Sequence, residues 1–249
     1  MIALRSKREI AKLKAANKMV AEVLQLVKRN VKPGVSTGTL DKIAEAEIIK
    51  QGARPAFKGY AGFPATLCTS VNYEIVHGIP SKKRKLKEGD IISIDVGVFL
   101  DGYYGDAALT VPVGSVSPEA QRLMQVTEVS LGKAIECAYP GERLFTLSHT
   151  VQKYVEDHGY SVVRDFVGHG IGTDLHEPPQ IPNYGKAGTG LVLKAGMVLA
   201  IEPMVNIGTY AVKVLSDGWT AVTGDRKLSA HFEHTIAITD AGPLILSQL

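Results

Sequence analysis

Apolar residues recur every three or four positions near the start of the chain, which is the spacing of one buried helical face. They are Ile10, Leu13, Val20, Val23, Leu24 and Val27. Ser6 followed by Glu9 has the pattern of a capping box, and this pattern predicts where the helix begins. Pro33-Gly34 ends the helix, and a second helix is predicted from Thr37 to Gly52.

The same order of elements returns later in the chain. Ser117 is a predicted N-cap, Pro118 a first helical residue, and Pro140-Gly141 a stop. β-Rich segments follow each helix pair: IISIDVGVFL (91–100) and YYGDAALTVPV (103–113), then VLAIEPMVNI (198–207), YAVKVL (210–215), WTAVTG (219–224) and HFEHTIAIT (231–239). Helix pairs followed by runs of strands predict an α+β fold with antiparallel sheets covered by helices.

Two pairs of segments match at one shared offset of 107 residues. LKEGDIISIDVGV (86–98) matches LKAGMVLAIEPMV (193–205), and VKPGVSTGTL (31–40) matches AYPGERLFTL (138–147). We therefore expect one domain, 1–249, with two similar halves of roughly 1–112 and 113–249 around a pseudo-two-fold axis. A cleft between such halves is a common place for a ligand site.

Composition is ordinary for a soluble globular protein, with 45% hydrophobic and 21% charged residues, so it excludes disordered and membrane classes. The net charge of +3 does not by itself indicate nucleic-acid binding. The basic run SKKRKLK (81–87) is interpreted as a solvated loop or as a patch facing an anionic partner such as ribosomal RNA. Cys68 and Cys137 form no CxxC motif, and no segment resembles a signal peptide, so we expect a cytoplasmic protein.

Acidic residues stand in apolar strand segments on either side of a turn signal, Asp101-Gly102. If these two residues form the loop of a hairpin, Asp106 faces Gly97 across the ladder and becomes a diagonal neighbour of Asp95, about 7–8 Å away. Two poorly solvated carboxylates repel each other. Such a pair persists when a cation neutralises it or when the two groups share a proton.

The repeat places Glu202 at the position equivalent to Asp95, and HFEHT (231–235) adds Glu233 at the predicted start of a strand. HFEHT alone fits a metal site, an acid/base pair or a polar strand edge. With His169 in the glycine-rich GHGIG, the four acids form an oxygen and nitrogen donor set suited to Mn, Fe, Co or Zn. Two ions bridged by shared carboxylates would balance the charge, which predicts a metal-dependent hydrolase of unnamed substrate.

Six motifs together resemble the type I methionine aminopeptidases, which are pita-bread (creatinase-like) metallopeptidases of family M24. They are HGIP (77–80), IDVGVFLDGYYGDAA (94–108), GHGIG (168–172), HEPP (176–179), IEPM (201–204) and FEHT (232–235). The resemblance spans essentially the whole chain. It implies a pita-bread fold and removal of the initiator methionine from nascent proteins when the second residue is small.

The resemblance also implies a set of metal ligands for two divalent ions, which could be Co, Mn, Fe, Ni or Zn: Asp95, Asp106, His169, Glu202 and Glu233. Asp106 and Glu233 would bridge the two ions, Asp95 would bind one of them, and His169 and Glu202 would bind the other. Glu202 would also accept and return a proton. His176 would stabilise the oxyanion, and His77 would hold the scissile amide nitrogen or position the second residue.

By the same resemblance, the methionine side chain would enter a pocket formed by Phe57, Tyr60, Phe63, Cys68, Leu175 and Trp219. Phe57 and Leu175 depart from the family, which often has cysteine and phenylalanine at these positions. Both departures stay apolar. From sequence alone, the three aromatic residues Tyr60, Phe63 and Trp219 would simply pack in a core.

Two other functions were weighed against the peptidase. One is a non-catalytic pita-bread protein that binds RNA or a protein partner through residues 81–87. The other is a peptidase of different specificity, such as one that cleaves Xaa-Pro bonds. Non-catalytic relatives typically lose metal ligands, whereas this chain has a suitable ligand residue at each of the expected positions. We therefore expect a monomeric enzyme that associates transiently with the ribosome.

Overall fold

The computed structural model describes residues 2–249, in which each of two helix pairs is followed by a run of strands, as the sequence predicts. The helices are α1 Lys7–Asn30, α2 Thr37–Lys50, α3 Pro118–Glu136 and α4 Leu144–Asp157. Ser6 and Glu9 form both hydrogen bonds of the predicted capping box, and the Ser117 side chain caps α3. Among residues 2–249, the structure contains no helix that combines the length and apolar character of a membrane span.

Fifteen strands build four sheets, and every ladder between them is antiparallel. The strands are β1 Arg54–Pro55, β2 Leu67–Val71, β3 Glu74–Val76, β4 Ile91–Leu100, β5 Tyr103–Pro112, β6 Ser161–Val162, β7 Gly168–Gly170, β8 Glu177–Ile181, β9 Val198–Ile201, β10 Met204–Asn206, β11 Val212–Val214, β12 Ala221–Thr223, β13 Ser229–His231, β14 His234–Thr239 and β15 Gly242–Ile245. The first sheet joins β1, β2 and β5 to β4, and the largest has the order β15-β14-β9-β7-β8. The predicted α+β architecture is confirmed.

The hairpin of β4 and β5 has the register that its turn predicts. Leu100 pairs with Tyr103, and Gly97 pairs with Asp106. The two loop residues, Asp101 and Gly102, have φ angles of 49° and 86°. Positive φ at both positions belongs to the type I′ turn, whose twist matches that of the flanking strands.

Hydrogen bonds around the helix pairs recur at the offset seen in the sequence. The Gly34 amide donates to the Leu86 carbonyl at 2.8 Å, and 107 residues later the Gly141 amide donates to the Leu193 carbonyl at 2.9 Å. Two isolated β-bridges are related by the same offset: Ser36 pairs with Lys85, and Arg143 pairs with Val192. The sequence repeat therefore corresponds to a repeat of backbone structure.

Each helix pair covers its own apolar core. Residues of α1 and α2 pack on β2, β4 and β5, and residues of α3 and α4 pack on β9, β13 and β14. Hydrogen bonds connect the two core regions close to the acidic residues. The Thr235 hydroxyl donates to the Asp106 carbonyl at 2.7 Å, and the Glu233 amide donates to the Ala108 carbonyl at 2.9 Å.

Replacing Gly105 with alanine tests the packing of α1 on β5. A Cβ atom at this position would lie 2.8 Å from the Ala16 carbonyl carbon and 2.8 Å from the Asn17 nitrogen. We expect Gly105→Ala to lower the free energy of unfolding by about 1–3 kcal/mol in urea titrations, because helix backbone cannot move aside freely.

Gly132→Ala is the matched control, because Gly132 is exposed on α3 and no described atom comes within 4 Å of its added Cβ. Alanine favours a helix over glycine by roughly 0.8–1.0 kcal/mol, so this variant should be slightly stabilised. Equal effects of the two substitutions would contradict the packing described for α1 and β5.

Candidate metal centre and substrate cleft

One cleft brings together all the residues that the sequence singled out. Its volume is about 210 Å³. Its lining includes the expected ligands Asp95, Asp106, His169, Glu202 and Glu233, the histidines His77 and His176, and the pocket residues Phe57, Tyr60, Phe63, Cys68, Leu175 and Trp219. Val76, Phe166 and Val167 also line the cleft, and the sequence analysis missed them.

Three of the expected ligands form a compact group that can hold a cation. Asp106, His169 and Glu233 each offer one donor atom, and these atoms lie within 4.8 Å of one another. Their exposed fractions are only 3%, 7% and 3%. A buried set of two carboxylates and one imidazole is a donor set that borderline divalent ions accept.

Asp95 and Glu202 flank this group. Asp95 is the same-face neighbour of Gly97, which pairs with Asp106 across the hairpin. Glu202 Oε1 lies 3.5 Å from His169 Nε2, and its Oε2 lies 3.7 Å from Nε2 of the buried His231. His231 is absent from the expected ligand set and contacts the far side of Glu202.

Burial gives the four carboxyl groups a strong preference for the neutral form. It raises the pKa of Asp95 to about 7. It also raises the pKa values of Asp106, Glu202 and Glu233 well above their ordinary range, with the charges of neighbouring carboxylates as the next cause. Within residues 2–249, no hydrogen-bond partner reaches Asp95 Oδ1, Asp106 Oδ1 or Glu233 Oε1. Buried acceptors without donors fit the coordination of a cation.

Two breaks in neighbouring ladders place the glutamates. Glu202 and Pro203 separate β9 from β10, while Phe232 and Glu233 separate β13 from β14. The breaks face each other, since Ile201 pairs with His234 and Met204 pairs with His231. Proline has no amide to donate, so the ladder opens here.

The expectation that Glu233 begins a strand is therefore wrong in detail. Glu233 lies in the break, and its amide bonds Ala108 of β5 instead of β9. The bond across to the first hairpin turns its carboxylate toward Asp106. The position of Glu233 thus depends on a contact between the two regions, which no local pattern could indicate.

His77 and His176 both line the cleft. His77 has a φ angle of 61°, an uncommon backbone conformation for a residue with a side chain, and its ring contacts Phe166 edge-on at 5.2 Å. Burial lowers its pKa to about 4, so the ring is neutral at pH 7. His176 Nδ1 lies 2.7 Å from the Tyr60 hydroxyl, and its ring contacts that of His169 at 4.4 Å.

An apolar pocket adjoins the carboxylates. Phe57, Phe63, Cys68 and Leu175 are buried, and the Phe63 ring contacts Trp219 edge-on at 5.1 Å. Burial raises the pKa of the Cys68 thiol, which keeps it neutral and apolar in character. A Cβ at Gly97 would lie 2.6 Å from Phe57 Cε1, so glycine is required where Phe57 packs on β4.

The carboxylates predict a distinctive pH dependence for the protein after treatment with a chelator. A carboxyl group whose pKa rises on folding binds more protons in the folded state, so stability falls as pH rises through that pKa. The pKa values of His169 and His231 are lowered, mainly by burial, to about 4 and about 3. In the unfolded chain the pKa of histidine is about 6.5, so above about pH 7 these histidines are mostly neutral in both states and the carboxylates dominate.

We therefore expect the unfolding free energy of the metal-free protein to drop by on the order of 1 kcal/mol or more between pH 7 and 8.5. Urea titrations followed by Trp219 fluorescence measure this drop. Added Mn should abolish it, and Asp95→Asn should reduce it without metal. A stability that increases with pH in the metal-free protein would contradict the electrostatics described here.

Comparison with known proteins agrees with this geometry. The profile of metallopeptidase family M24 matches residues 11–240. The methionine aminopeptidase of Clostridium acetobutylicum is 54% identical to this chain, with 99% of each chain covered, and methionine aminopeptidase 1 of Bacillus subtilis is 55% identical with 100% of each covered.

A crystal structure of methionine aminopeptidase from Thermotoga maritima superposes with a TM-score of 0.99, at 49% identity and with 100% of both chains covered. This likeness confirms the pita-bread fold expected from the sequence. Such identity over the full length is far above what a shared fold alone requires. The chain therefore belongs to metallopeptidase family M24, and within it to the methionine aminopeptidases.

Proposed function

We propose that this chain removes the N-terminal methionine from peptides and nascent proteins whose second residue is small, using two divalent metal ions. One observation carries the proposal: the Asp106, His169 and Glu233 group opens directly into a buried apolar pocket. The group can activate water, and the pocket can hold one apolar side chain beside it. Four buried carboxyl groups of raised pKa cost stability, and binding a partner elsewhere on the surface would not require them.

The residues would hold the ions as the sequence resemblance implies. Asp95, Asp106, His169, Glu202 and Glu233 would together hold the ions. When bound, the ions supply Lewis-acid chemistry by lowering the pKa of a water molecule and polarising the scissile carbonyl. Co, Mn, Fe, Ni and Zn all suit this donor set, and availability selects among them.

Glu202 would serve as the proton carrier. It lies in an apolar break between β9 and β10, where burial alone favours its neutral form and the charge of the bound ions would favour the carboxylate. A carboxylate in this setting accepts a proton from the attacking water readily and holds it until the amine leaves. His169 Nε2 and His231 Nε2 lie 3.5 Å and 3.7 Å from the two oxygens of this carboxylate.

The two histidines would act on the substrate as neutral rings. The Tyr60 hydroxyl donates to Nδ1 of His176 in this proposal, which places the proton on Nε2. That N–H then donates to the carbonyl oxygen as negative charge develops there. His77 would contact the scissile amide nitrogen, with its ring held by Phe166 and Trp219.

The pocket would select methionine through the polarizable thioether, which packs well against aromatic edges. Phe63 and Trp219 present such edges, and Leu175 and Cys68 close the pocket with apolar surface. A cleft of about 210 Å³ leaves little space beyond one such side chain, so the wall near His77 would exclude a large second residue.

The proposal also includes the cellular location of the enzyme. An initiator methionine is removed from nascent chains, so the enzyme would act in the cytoplasm as a monomer, in transient contact with the ribosome. The basic residues Lys82, Lys83, Arg84, Lys85 and Lys87 are all exposed and could contact ribosomal RNA.

Release of free methionine from Met-Ala-Ser and Met-Lys-Ser tests the proposed reaction. Metal-stripped protein with Mn or Co added back should release methionine from Met-Ala-Ser only. Glu202→Gln should reduce the rate by about 10²–10⁴-fold, because proton transfer is lost. The exposed Glu119 on α3 offers a matched control, and Glu119→Gln should leave the rate unchanged.

An Ala-Pro-Ser peptide separates the peptidase classes. Cleavage of this peptide in preference to Met-Ala-Ser would replace the proposed specificity with Xaa-Pro hydrolysis. The absence of release with any metal would overturn the enzymatic proposal. Binding of RNA through residues 81–87 would then be the function to test.

A further inference from the structure

The loop of residues 172–177 carries two groups of the proposed mechanism, His176 and Leu175. Leu175 is buried in the pocket, but His176 is exposed. Its hydrogen bond goes to the hydroxyl of Tyr60, whose side chain is itself 42% exposed. The His176 ring also contacts the His169 ring at 4.4 Å, and its position depends on the backbone of its loop as well as on these two contacts.

The carboxylate of Glu177 organises that backbone. Its Oε1 accepts hydrogen bonds from the Thr173 amide at 2.8 Å, the Thr173 hydroxyl at 3.2 Å and the Asp174 amide at 3.1 Å. The start of the loop is thereby tied to the residue that directly follows His176. A shift of Glu177 would shift the whole turn.

Arg5 holds Glu177 from the other end of the chain. Its Nη2 lies 2.5 Å from Oε1 and 2.6 Å from Oε2 of Glu177, across 172 residues of sequence. The exposed fractions of the two side chains are only 9% and 12%. A buried charge-assisted pair resists displacement, because loss of one partner leaves the other charge uncompensated.

The surroundings are shaped to fit Arg5. Its amide donates to the Gly196 carbonyl at 2.7 Å, and a Cβ at Gly196 would lie 3.0 Å from the Arg5 carbonyl oxygen. A Cβ at Gly172 would collide with the guanidinium. Gly172 also accepts a hydrogen bond from the Tyr104 amide at 2.8 Å, so the loop is joined to β5 beside the carboxylates.

We propose that Arg5 is a positioning residue for the reaction: paired with Glu177, it holds loop 172–177 so that His176 faces the scissile carbonyl. Arg5 contacts no reacting group. Its Nη1 also lies 3.8 Å from Glu9 Oε1 on α1, and its effect on the reaction would pass through Glu177. The inference rests on the proposed function, because it takes the role of His176 from there. It adds a residue of the N-terminal segment that no catalytic motif contains.

A double-mutant cycle in the full-length, Mn-loaded enzyme tests this inference. Arg5→Gln should lower kcat for Met-Ala-Ser by about 10- to 100-fold with KM changed less than about threefold, as expected for a misplaced catalytic group. In a His176→Ala background, the same substitution should lower kcat by less than about twofold, because the group it positions is gone.

Two further variants complete the design. Arg5→Lys keeps the positive charge on a shorter side chain with a different donor geometry and should give an intermediate fall in kcat. If Arg5→Gln does not fold, Arg5→Lys takes its place in the double-mutant cycle. Lys153→Gln breaks the exposed pair with Asp157 on α4, whose side chains are 63% and 58% exposed, and should leave kcat unchanged.

Equal falls of kcat in both backgrounds would overturn the positioning role, because a general loss of structure acts whether or not His176 is present. An unchanged kcat in Arg5→Gln would overturn it as well. Full kcat in His176→Ala alone would remove the role proposed for His176 and the inference with it. That last result distinguishes a failure of the proposed mechanism from a failure of the positioning role of Arg5.

Discussion

Four carboxylates enclosed in one apolar cleft are the constraint on which the rest of this structure depends. Burial and mutual repulsion raise their pKa values, and several of their oxygens have no donor within the described residues. Such an arrangement costs stability unless a counter-charge arrives. The two well-packed cores, one beneath each helix pair, supply the rigidity that keeps these groups together.

The internal repeat explains how the acids come to face each other. Each half contributes an acid at the same point of its framework, Asp95 in the first and Glu202 in the second, and equivalent hydrogen bonds support both frameworks. The halves differ in what they add. The first adds the β4–β5 hairpin with Asp106, and the second adds the opened ladder that directs Glu233 toward it.

Local rules made much of this predictable from sequence. The Asp101-Gly102 turn set the hairpin register, and the caps at Ser6 and Ser117 set the helix starts. Contacts between distant segments could not be predicted, because no local pattern encodes them. The displacement of Glu233 from its strand, the ring of Phe166 against His77, and the reach of Arg5 to Glu177 all arise from such contacts.

Metal binding by chelator-treated protein tests the central claim most directly. Equilibrium dialysis against Mn, followed by elemental analysis, should give two ions per folded chain at saturation, with protons released as the carboxylates ionise. Glu233→Gln should lose this stoichiometry while staying folded, because the variant lacks one of the proposed metal ligands. A folded wild-type chain that binds no divalent ion, or a Glu233→Gln variant that binds as the wild type does, would contradict the account.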